Sequence, residues 1–180
     1  MARRGRSKYL DKRCFFVTTT CLEWLPLLRD EAAKEVCYES LEFCCDRFRM
    51  DLAAYVLMPN HMHLVVRFRA DNKLSEFMRD FKKFTSRKIR AWLEQEDPRL
   101  AYRLHSYSRN REFRLWTNRF DDLHLFSTEV TGTKVRYIHA NPVTAGLCET
   151  PEEYKHSSAS WYINKTAVRL PLLDYHNLFI

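Results

Sequence analysis

The sequence predicts an α+β fold in which a ferredoxin-like antiparallel sheet of four strands carries helices on one face. Four short segments rich in β-branched and aromatic residues alternate with segments whose apolar residues recur at three- and four-residue steps. Their order is strand, helix, strand, strand, helix, strand, helix, and one antiparallel sheet accommodates that order. The length of 180 residues fits a single domain.

The first half of the chain has the clearest periodicity. Residues 29–48 and 72–95 are predicted helices, because apolar side chains recur along one stripe of each. Pro59 and Asn60 form a turn, so the strands on either side of it should pair antiparallel. The three strands predicted in this half are residues 14–20, 52–58 and 61–68.

The second half is less regular. Residues 99–118 are basic and aromatic without a clear period, so we expect a surface loop or an extended region. A short fourth strand is predicted at 123–126. It is followed by an additional helix that Ser127 or Thr128 caps and that ends at about Ala140, before Pro142.

The last predicted helix and the C-terminal segment each have a feature that departs from regular structure. Gly132 lies inside the last helix and indicates either a hinge or a tolerated irregularity. Residues 151–180 are predicted to form an irregular extension, packed on the domain that residues 1–150 form.

The charge is segregated along the chain. The formal net charge is +7, but residues 1–13, 79–90 and 99–119 each carry six Lys or Arg against one acidic residue, so the rest of the chain sums to −8. Such segregation favours a polyanionic partner. The alternative is three separate solvated surfaces.

Composition excludes several other classes of function. Three glycines, widely separated, are too few for a phosphate-binding loop or a dinucleotide fingerprint. The six cysteines lack metal-site spacing and predict reduced, mostly buried thiols. No segment approaches the length of a membrane span, so we expect no membrane partner and a cytoplasmic protein.

His61 and His63 stand one residue apart at the start of a predicted strand. Alternate side chains of a strand share a face, so two imidazoles can point at one metal ion while Met62, Leu64 and Val66 enter the core. The alternative is a pair of hydrogen-bonded histidines on the outer face of the sheet. A metal would require a third ligand from elsewhere in the chain.

The segment MPNHMHLVV resembles the HUH motif (histidine, hydrophobic residue, histidine) of the single-tyrosine transposases of the IS200-like superfamily. YIHANPVTAGL, residues 137–147, resembles the nucleophile helix of REP-associated tyrosine transposases. The similarity extends through Trp116, Asp122 and PEEYKHSSASWY, and it covers most of residues 9–162. Thr144 departs from the arginine that many members carry there.

The resemblance implies a metal-dependent DNA transposase or strand transferase. Tyr137 would attack a DNA phosphodiester and form a 5′-phosphotyrosine link. His61, His63 and Asn141 would hold Mg²⁺ or Mn²⁺, although Asn141 precedes a proline, which disfavours helical dihedrals. His124 and His139 are not expected to be ligands. The protein would act as a monomer or a homodimer, with the site in one chain or shared by two.

The basic segments 79–90 and 102–116 predict a surface for single-stranded or hairpin DNA, because cations follow phosphates and aromatic rings stack on unpaired bases. The resemblance implies that the DNA contains short imperfect palindromes of the REP type. The residues predicted to bind DNA are Arg79, Lys82, Lys83, Arg87, Arg90, Arg109, Arg111 and Arg114.

Two other functions stay open at this point. One is a non-catalytic nucleic-acid-binding regulator descended from a transposase, since sheets of this type also serve as nucleic-acid platforms. The other is a metal-dependent nuclease that uses water as nucleophile, with Tyr137 in a structural role.

Overall fold

The computed structural model describes residues 12–106 and 113–180. Within them lies one antiparallel sheet with the strand order β2-β3-β1-β4, which is the ferredoxin-like order. The predicted fold class is therefore confirmed. The strands are β1 (Cys14–Thr20), β2 (Met50–Leu57), β3 (His61–Phe68) and β4 (Asp121–His124).

Helices cover both faces of this sheet, because the first two helices pack on one face, as predicted, and the additional helix packs on the other. The first two helices share one apolar core with β1 and β3, in which Leu41 and Phe77 pack with Phe15 and Leu64. The fourth helix packs on the opposite face in a second core. The helices are α1 (Glu31–Arg47), α2 (Leu74–Glu96), α3 (Pro98–Ser106), α4 (Thr128–Thr144) and α5 (Ala159–Ile163).

Strand β3 distributes its side chains between these two cores. Met62, Leu64 and Val66 face α1 and α2, as predicted, while Val65 packs with Val135 and Ile138 of α4. His61 and His63 share the face of Val65 because side chains alternate along a strand. The pleat of β3 therefore turns both histidines towards α4.

The prediction of a loop or extended region at 99–118 was wrong for its first part, because Pro98–Ser106 is helix α3. Asp97 Oδ1 accepts a hydrogen bond from the backbone N–H of Leu100, and proline is favourable at the first helical position. Ala101 and Leu104 are buried in the core beside α2. The Asp97-Pro98 pair was the sequence signal for this helix start.

The fourth strand begins two residues earlier than predicted. Asp121 pairs with Thr18 and Leu123 pairs with Phe16, so β4 runs over Asp121–His124. Leu125 is buried, and its backbone N–H donates to Cys14 O beyond the strand. Because Leu125 is apolar, the sequence pattern placed the predicted strand too late in the chain.

The prediction that α4 ends before Pro142 was also wrong. Ser127 caps the helix, as predicted, by accepting from Val130 N–H, but α4 continues through Pro142 to Thr144. A proline without an N–H removes one helical hydrogen bond, and the following turn is held by Ala145 N–H donating to Asn141 O. Gly146, at φ 68°, lies beyond the end of the helix in the left-handed region.

Residues 151–180 run along β2, the outer strand next to β3. The backbone of this segment bonds to β2 at three points, where Leu57 N–H donates to His156 O, Ser158 N–H to Tyr55 O, and Leu173 N–H to Leu52 O. The hydroxyls of Tyr154 and Tyr162 donate to Leu57 O and Ala53 O. The extension therefore covers the outer edge of β2.

The sequence also predicted reduced, mostly buried cysteines and no membrane span. All six cysteines are free, and four of them, Cys14, Cys21, Cys37 and Cys44, are buried. In the ranges 12–106 and 113–180, no helix is long and apolar enough to cross a membrane.

Gly132 provides a close approach between α4 and the C-terminal extension. A Cβ at this position would lie 3.3 Å from Cε2 and 3.3 Å from the hydroxyl oxygen of Tyr175. We expect Gly132→Val to displace Tyr175 and to lower the free energy of unfolding by about 1–3 kcal/mol, as overpacking does. Chemical denaturation measures this change.

Thr133→Val is the matched control, because Thr133 is the exposed neighbour of Gly132 on the same helix. This control should change the free energy of unfolding by less than about 0.5 kcal/mol. Equal effects of the two variants would show that the close approach of Tyr175 does not cause the loss of stability in Gly132→Val.

Candidate active site on the α4 face of the sheet

The predicted histidine pair lies where β3 begins, directly after the Pro59-Asn60 turn. Strand pairing places Thr20 opposite His61 and Thr18 opposite His63 on β1. The two imidazole rings are 4.8 Å apart, centroid to centroid, at an interplanar angle of 74°. His63 is buried, with 4% of its surface exposed, and His61 is partly buried.

Each imidazole is oriented through its Nδ1 atom. His61 Nδ1 lies 2.7 Å from Asn60 Oδ1, and His63 Nδ1 lies 2.8 Å from Thr18 Oγ1. A carboxamide oxygen can only accept, so His61 Nδ1 donates and carries the proton in the neutral ring. The lone pair of His61 is then at Nε2, the atom directed towards α4.

Asn141 is the residue of α4 that meets this lone pair. Its Oδ1 lies 3.3 Å from His61 Nε2. Two lone pairs at that separation repel each other unless a cation lies between them. Neighbouring ligands of an octahedral ion with bonds of about 2.1 Å are about 3 Å apart, so the spacing fits one shared metal ion.

The Asn141 amide has a second possible orientation. Turned by 180°, it would donate from Nδ2 to His61 Nε2 and would need no cation. Asn141 is held in position for either arrangement because α4 continues through Pro142. Its role as a metal ligand stays a prediction.

His63 supplies the second observation that fits a metal. Its Nε2 atom is buried and has no hydrogen-bond partner in the described part of the chain. Burial, with smaller contributions from the charges of His61 and Lys134, lowers the pKa of His63 to about 3. Burial also lowers the pKa of His61, against the hydrogen bond that the protonated ring would donate to Asn141 Oδ1. Both rings are therefore neutral at pH 7, as metal ligands must be.

The possible ligand set consists of two imidazoles and one amide. Among the described residues, no group of three or more His, Cys, Asp or Glu side chains could hold a metal ion. Two imidazoles with an amide oxygen leave open positions for water and a phosphoryl oxygen, a donor set compatible with Mg²⁺ or Mn²⁺.

Tyr137 lies beside the histidines, one helical turn before Asn141. Its ring is 5.3 Å from the His63 ring and 5.9 Å from the Phe16 ring, centroid to centroid. Half of its surface is exposed. The predicted nucleophile and the predicted ligands therefore meet within one chain, and the tyrosine is open to solvent.

Sequence reasoning missed the side chains that surround these four residues. The Lys134 ammonium lies 5.0 Å from the centroid of Phe16 and 5.7 Å from that of Tyr137. Phe16 stacks on His63 with centroids 5.3 Å apart. Lys134 precedes Tyr137 by three positions on α4, a spacing that places two side chains on one helix face and could have indicated it.

Six of the eight residues predicted to bind DNA line one groove between α2 and residues 113–120. Aromatic side chains share this groove, among them Phe113, Trp116 and Phe120. The predicted residues in it are Arg79, Lys82, Lys83, Arg87, Arg90 and Arg114, whereas Arg109 and Arg111 lie outside the described residues.

The cations of the groove differ in their contacts. Lys82 Nζ donates to Thr117 O and Arg119 O at 2.9 Å each, and burial lowers its pKa to about 8. This ammonium therefore holds the opposite wall of the groove against α2. Arg79 pairs with Asp80, Arg90 with Glu94, and Arg114 Nη1 donates to Asn118 Oδ1.

One wall of the groove reaches the end of the sheet where the histidines lie. Thr117 N–H donates to Thr20 O, and Thr20 is the strand partner of His61. The groove is on the α2 side of the sheet and the tyrosine is on the α4 side. A strand bound to both has to pass around this end of the sheet.

His139 and His124 make their contacts outside the group formed by His61, His63 and Asn141. His139 is buried and its Nε2 is 2.8 Å from Ser158 Oγ. His124 ends β4, where its ring meets Phe15 and Phe126. That neither completes the ligand set stays a prediction.

The chain resembles known proteins in sequence and in structure. The family model described as "Transposase IS200 like" matches residues 19–141. No curated protein matches the chain significantly.

Among solved structures, a REP-associated tyrosine transposase bound to a REP hairpin superposes with a TM-score of 0.66 at 17% identity, covering 95% of this chain and 92% of that chain. A candidate transposase from Deinococcus radiodurans R1 gives a TM-score of 0.47 at 18% identity, with 76% and 95% covered. At such identities the first likeness shows a shared fold.

The buried His139 predicts a pH-dependent stability. Burial lowers its pKa to about 4, whereas the unfolded chain binds this proton near pH 6.5. The unfolded state therefore binds more protons between these values, and stability falls as the pH drops from about 6.5 to 4. We expect His139→Gln to reduce that slope by up to about 1.4 kcal/mol per pH unit.

Urea unfolding across this pH range, with a chelator present, measures the slope. The chelator keeps any metal binding at His61, His63 and Asn141 out of the comparison. If the free energy of unfolding fell equally with pH in the wild type and in His139→Gln, burial of His139 would not be the cause of the slope.

Proposed function

The chain belongs to the IS200-like transposase family, and from this premise we propose that it cleaves and rejoins single-stranded or hairpin DNA through a covalent link to Tyr137. The observation that carries the proposal is the contact between the Tyr137 and His63 rings, 5.3 Å apart in one chain with the tyrosine half exposed. A structural tyrosine would be expected in the core, with its hydroxyl hydrogen-bonded.

In the proposed first step the Tyr137 oxygen attacks the phosphorus of a phosphodiester. A bond forms between the tyrosine oxygen and the 5′-phosphate, and the bond from phosphorus to O3′ breaks. The phenolic proton leaves the tyrosine, and the departing O3′ acquires a proton to become a free hydroxyl. Attack by a 3′-hydroxyl on the same phosphorus reverses the chemistry and rejoins a strand, so no nucleotide cofactor is needed.

His61, His63 and Asn141 are the residues that would hold the divalent metal ion on which this family generally depends. Mg²⁺ or Mn²⁺ would polarise a phosphoryl oxygen and stabilise the charge that develops on it. Asn60 and Thr18 keep the imidazoles oriented through Nδ1, as hydrogen bonds to the second ring nitrogen commonly do for histidines that bind a metal.

Lys134 is positioned to act on the same phosphate. Its ammonium lies on the Tyr137 side of the site and is partly buried, so a phosphate bound there would meet a cation within a restricted space. Charge stabilisation of that kind strengthens where water is partly excluded. We include Lys134 in the proposed phosphate-binding part of the site.

The groove between α2 and residues 113–120 is the proposed DNA-binding surface. Cations and aromatic rings line it together, which suits a strand with unpaired bases. The structural relative described above is bound to a REP hairpin. We propose that this chain also takes hairpin DNA with single-stranded flanks, from palindromic elements of that type.

A covalent adduct tests the proposed chemistry. The wild-type protein, incubated with labelled hairpin DNA and Mg²⁺ or Mn²⁺ and then denatured, should retain label on the protein. Tyr137→Phe should form no adduct, because it lacks the attacking oxygen, and His61→Ala should lose at least about 100-fold, as loss of charge stabilisation at a phosphate does. Gel electrophoresis under denaturing conditions measures both.

His124→Ala is the control, since His124 lies at the end of β4. It should form the adduct at the wild-type rate. Cleavage without adduct would identify a nuclease that uses water, and DNA binding without cleavage would identify a regulator. Either outcome would overturn the proposed mechanism.

The groove predicts a steep dependence of DNA affinity on salt. Each phosphate contacted on a single strand contributes about 0.7 to the slope of log affinity against log salt concentration. Removing Lys83 and Arg87 together should lower that slope by up to about 1.4. Fluorescence anisotropy with a labelled hairpin, measured over a series of salt concentrations, gives the slope.

Lys165→Gln is the control variant, because Lys165 is an exposed residue of the C-terminal extension that lies over Trp161, away from the groove. It should leave the slope unchanged. An unchanged slope in the double variant would place DNA elsewhere on the protein.

A further inference from the structure

The segment between β1 and α1 has an unusual backbone. Glu23 has φ 52° and Trp24 has φ 57°, so two consecutive residues occupy the left-handed region. Residues with side chains rarely adopt that conformation, and bulky side chains least of all. Such outliers persist where the surrounding structure holds them, and they concentrate at functional sites.

The surrounding structure holds this segment firmly. Cys21 N–H donates to Asn60 O, and Leu28 N–H donates to Pro59 O, each at 2.8 Å. Leu22 N–H donates to Leu115 O, also at 2.8 Å. The segment is thereby tied both to the turn that precedes His61 and to the strip of chain that leads into the basic groove.

The product of this arrangement is an exposed indole beside a predicted metal ligand. Trp24 is 63% exposed, although Leu27 and Leu28 in the same segment are buried. Its ring lies 5.8 Å from the His61 ring at an interplanar angle of 62°. The chain therefore keeps a large aromatic surface in solvent at the edge of the site.

We propose that Trp24 is a stacking platform for one unpaired nucleobase of the DNA strand that enters the site. This inference rests on the proposed function, because the base belongs to the strand that contains the cleaved phosphodiester. Stacking of a base on an aromatic ring is strong and tolerant of sequence, since every base has a π face. Trp24 would fix the position of the strand relative to His61.

The charge next to Trp24 favours a base over a phosphate as the occupant. Glu23 is exposed and precedes Trp24 directly, and its carboxylate repels the DNA backbone. The cations described above lie elsewhere, with Lys134 on the Tyr137 side and the basic groove on the α2 side of the sheet. A strand whose phosphates follow those cations can turn a base towards the indole.

The experiment combines protein variants with abasic DNA. The probe is a labelled stem-loop with single-stranded thymidine flanks, in which each flank nucleotide is replaced in turn by an abasic site. Binding is measured in a chelator, so that no cleavage occurs. Trp24→Ala should weaken binding of the intact probe by about 5- to 150-fold, whereas Trp24→Phe should retain most of the affinity.

One abasic position should reproduce the loss. Removal of the base that stacks on Trp24 should weaken the wild type by a similar factor and should leave Trp24→Ala unaffected, because the two changes remove one interaction. Phe43→Ala is the matched control, since Phe43 is 61% exposed on α1 and does not line the groove. It should bind every probe as the wild type does.

Two results would overturn the inference. Wild-type affinity in Trp24→Ala would exclude stacking, and so would a loss that is equal on every abasic probe. If Trp24→Ala bound DNA normally but formed less adduct, the indole would serve to position the His61 ring and not to bind a base. Because binding is measured without metal, absence of adduct in the wild type would refute the covalent mechanism while leaving the stacking result intact.

Discussion

The two-residue period of β3 is the constraint on which the site depends. Because alternate side chains of a strand share a face, the same pleat that sends Met62, Leu64 and Val66 into one core sends His61 and His63 to the other side. A shift of one residue in the pairing with β1 would exchange these sets. The apolar core below the sheet therefore fixes the direction of the imidazoles above it.

The same constraint makes the site costly to the fold. Two imidazoles are partly or fully withdrawn from water, and their depressed pKa values show that protonation is disfavoured there. His63 Nε2 has no partner in the described chain, a loss that a fully structural histidine would avoid. Thr19 Oγ1 and Tyr55 OH are also buried without a partner, so it is the position of this nitrogen beside His61 and Asn141 that distinguishes it.

Much of this arrangement could be predicted from the sequence because local patterns determine it. The bounds of β1 and β3 follow from runs of β-branched and aromatic residues and from the Pro59-Asn60 turn. Tyr137 and Asn141 are four residues apart, so they share a helix face wherever the helix begins and ends. The start of α3 at Pro98 was also a local signal, which the basic and aromatic composition after it obscured.

Other parts depend on contacts between distant segments and could not be predicted from one sequence. Thr18 meets His63 only through the register of β1 and β3, and Lys134 meets Phe16 only once α4 packs on the sheet. The continuation of α4 through Pro142 depends on packing that outweighs one lost hydrogen bond. The left-handed backbone at Trp24 could not be predicted either, because no glycine in this segment indicates it.

The C-terminal extension has a consequence for how two copies could associate. An outer strand normally offers unpaired peptide groups that another sheet can use, but in β2 the groups of Leu52, Ala53, Tyr55 and Leu57 are already occupied by this extension. A continuous intermolecular sheet cannot form along that margin. Strand-to-strand joining of two molecules would have to use the short β4, on the opposite side.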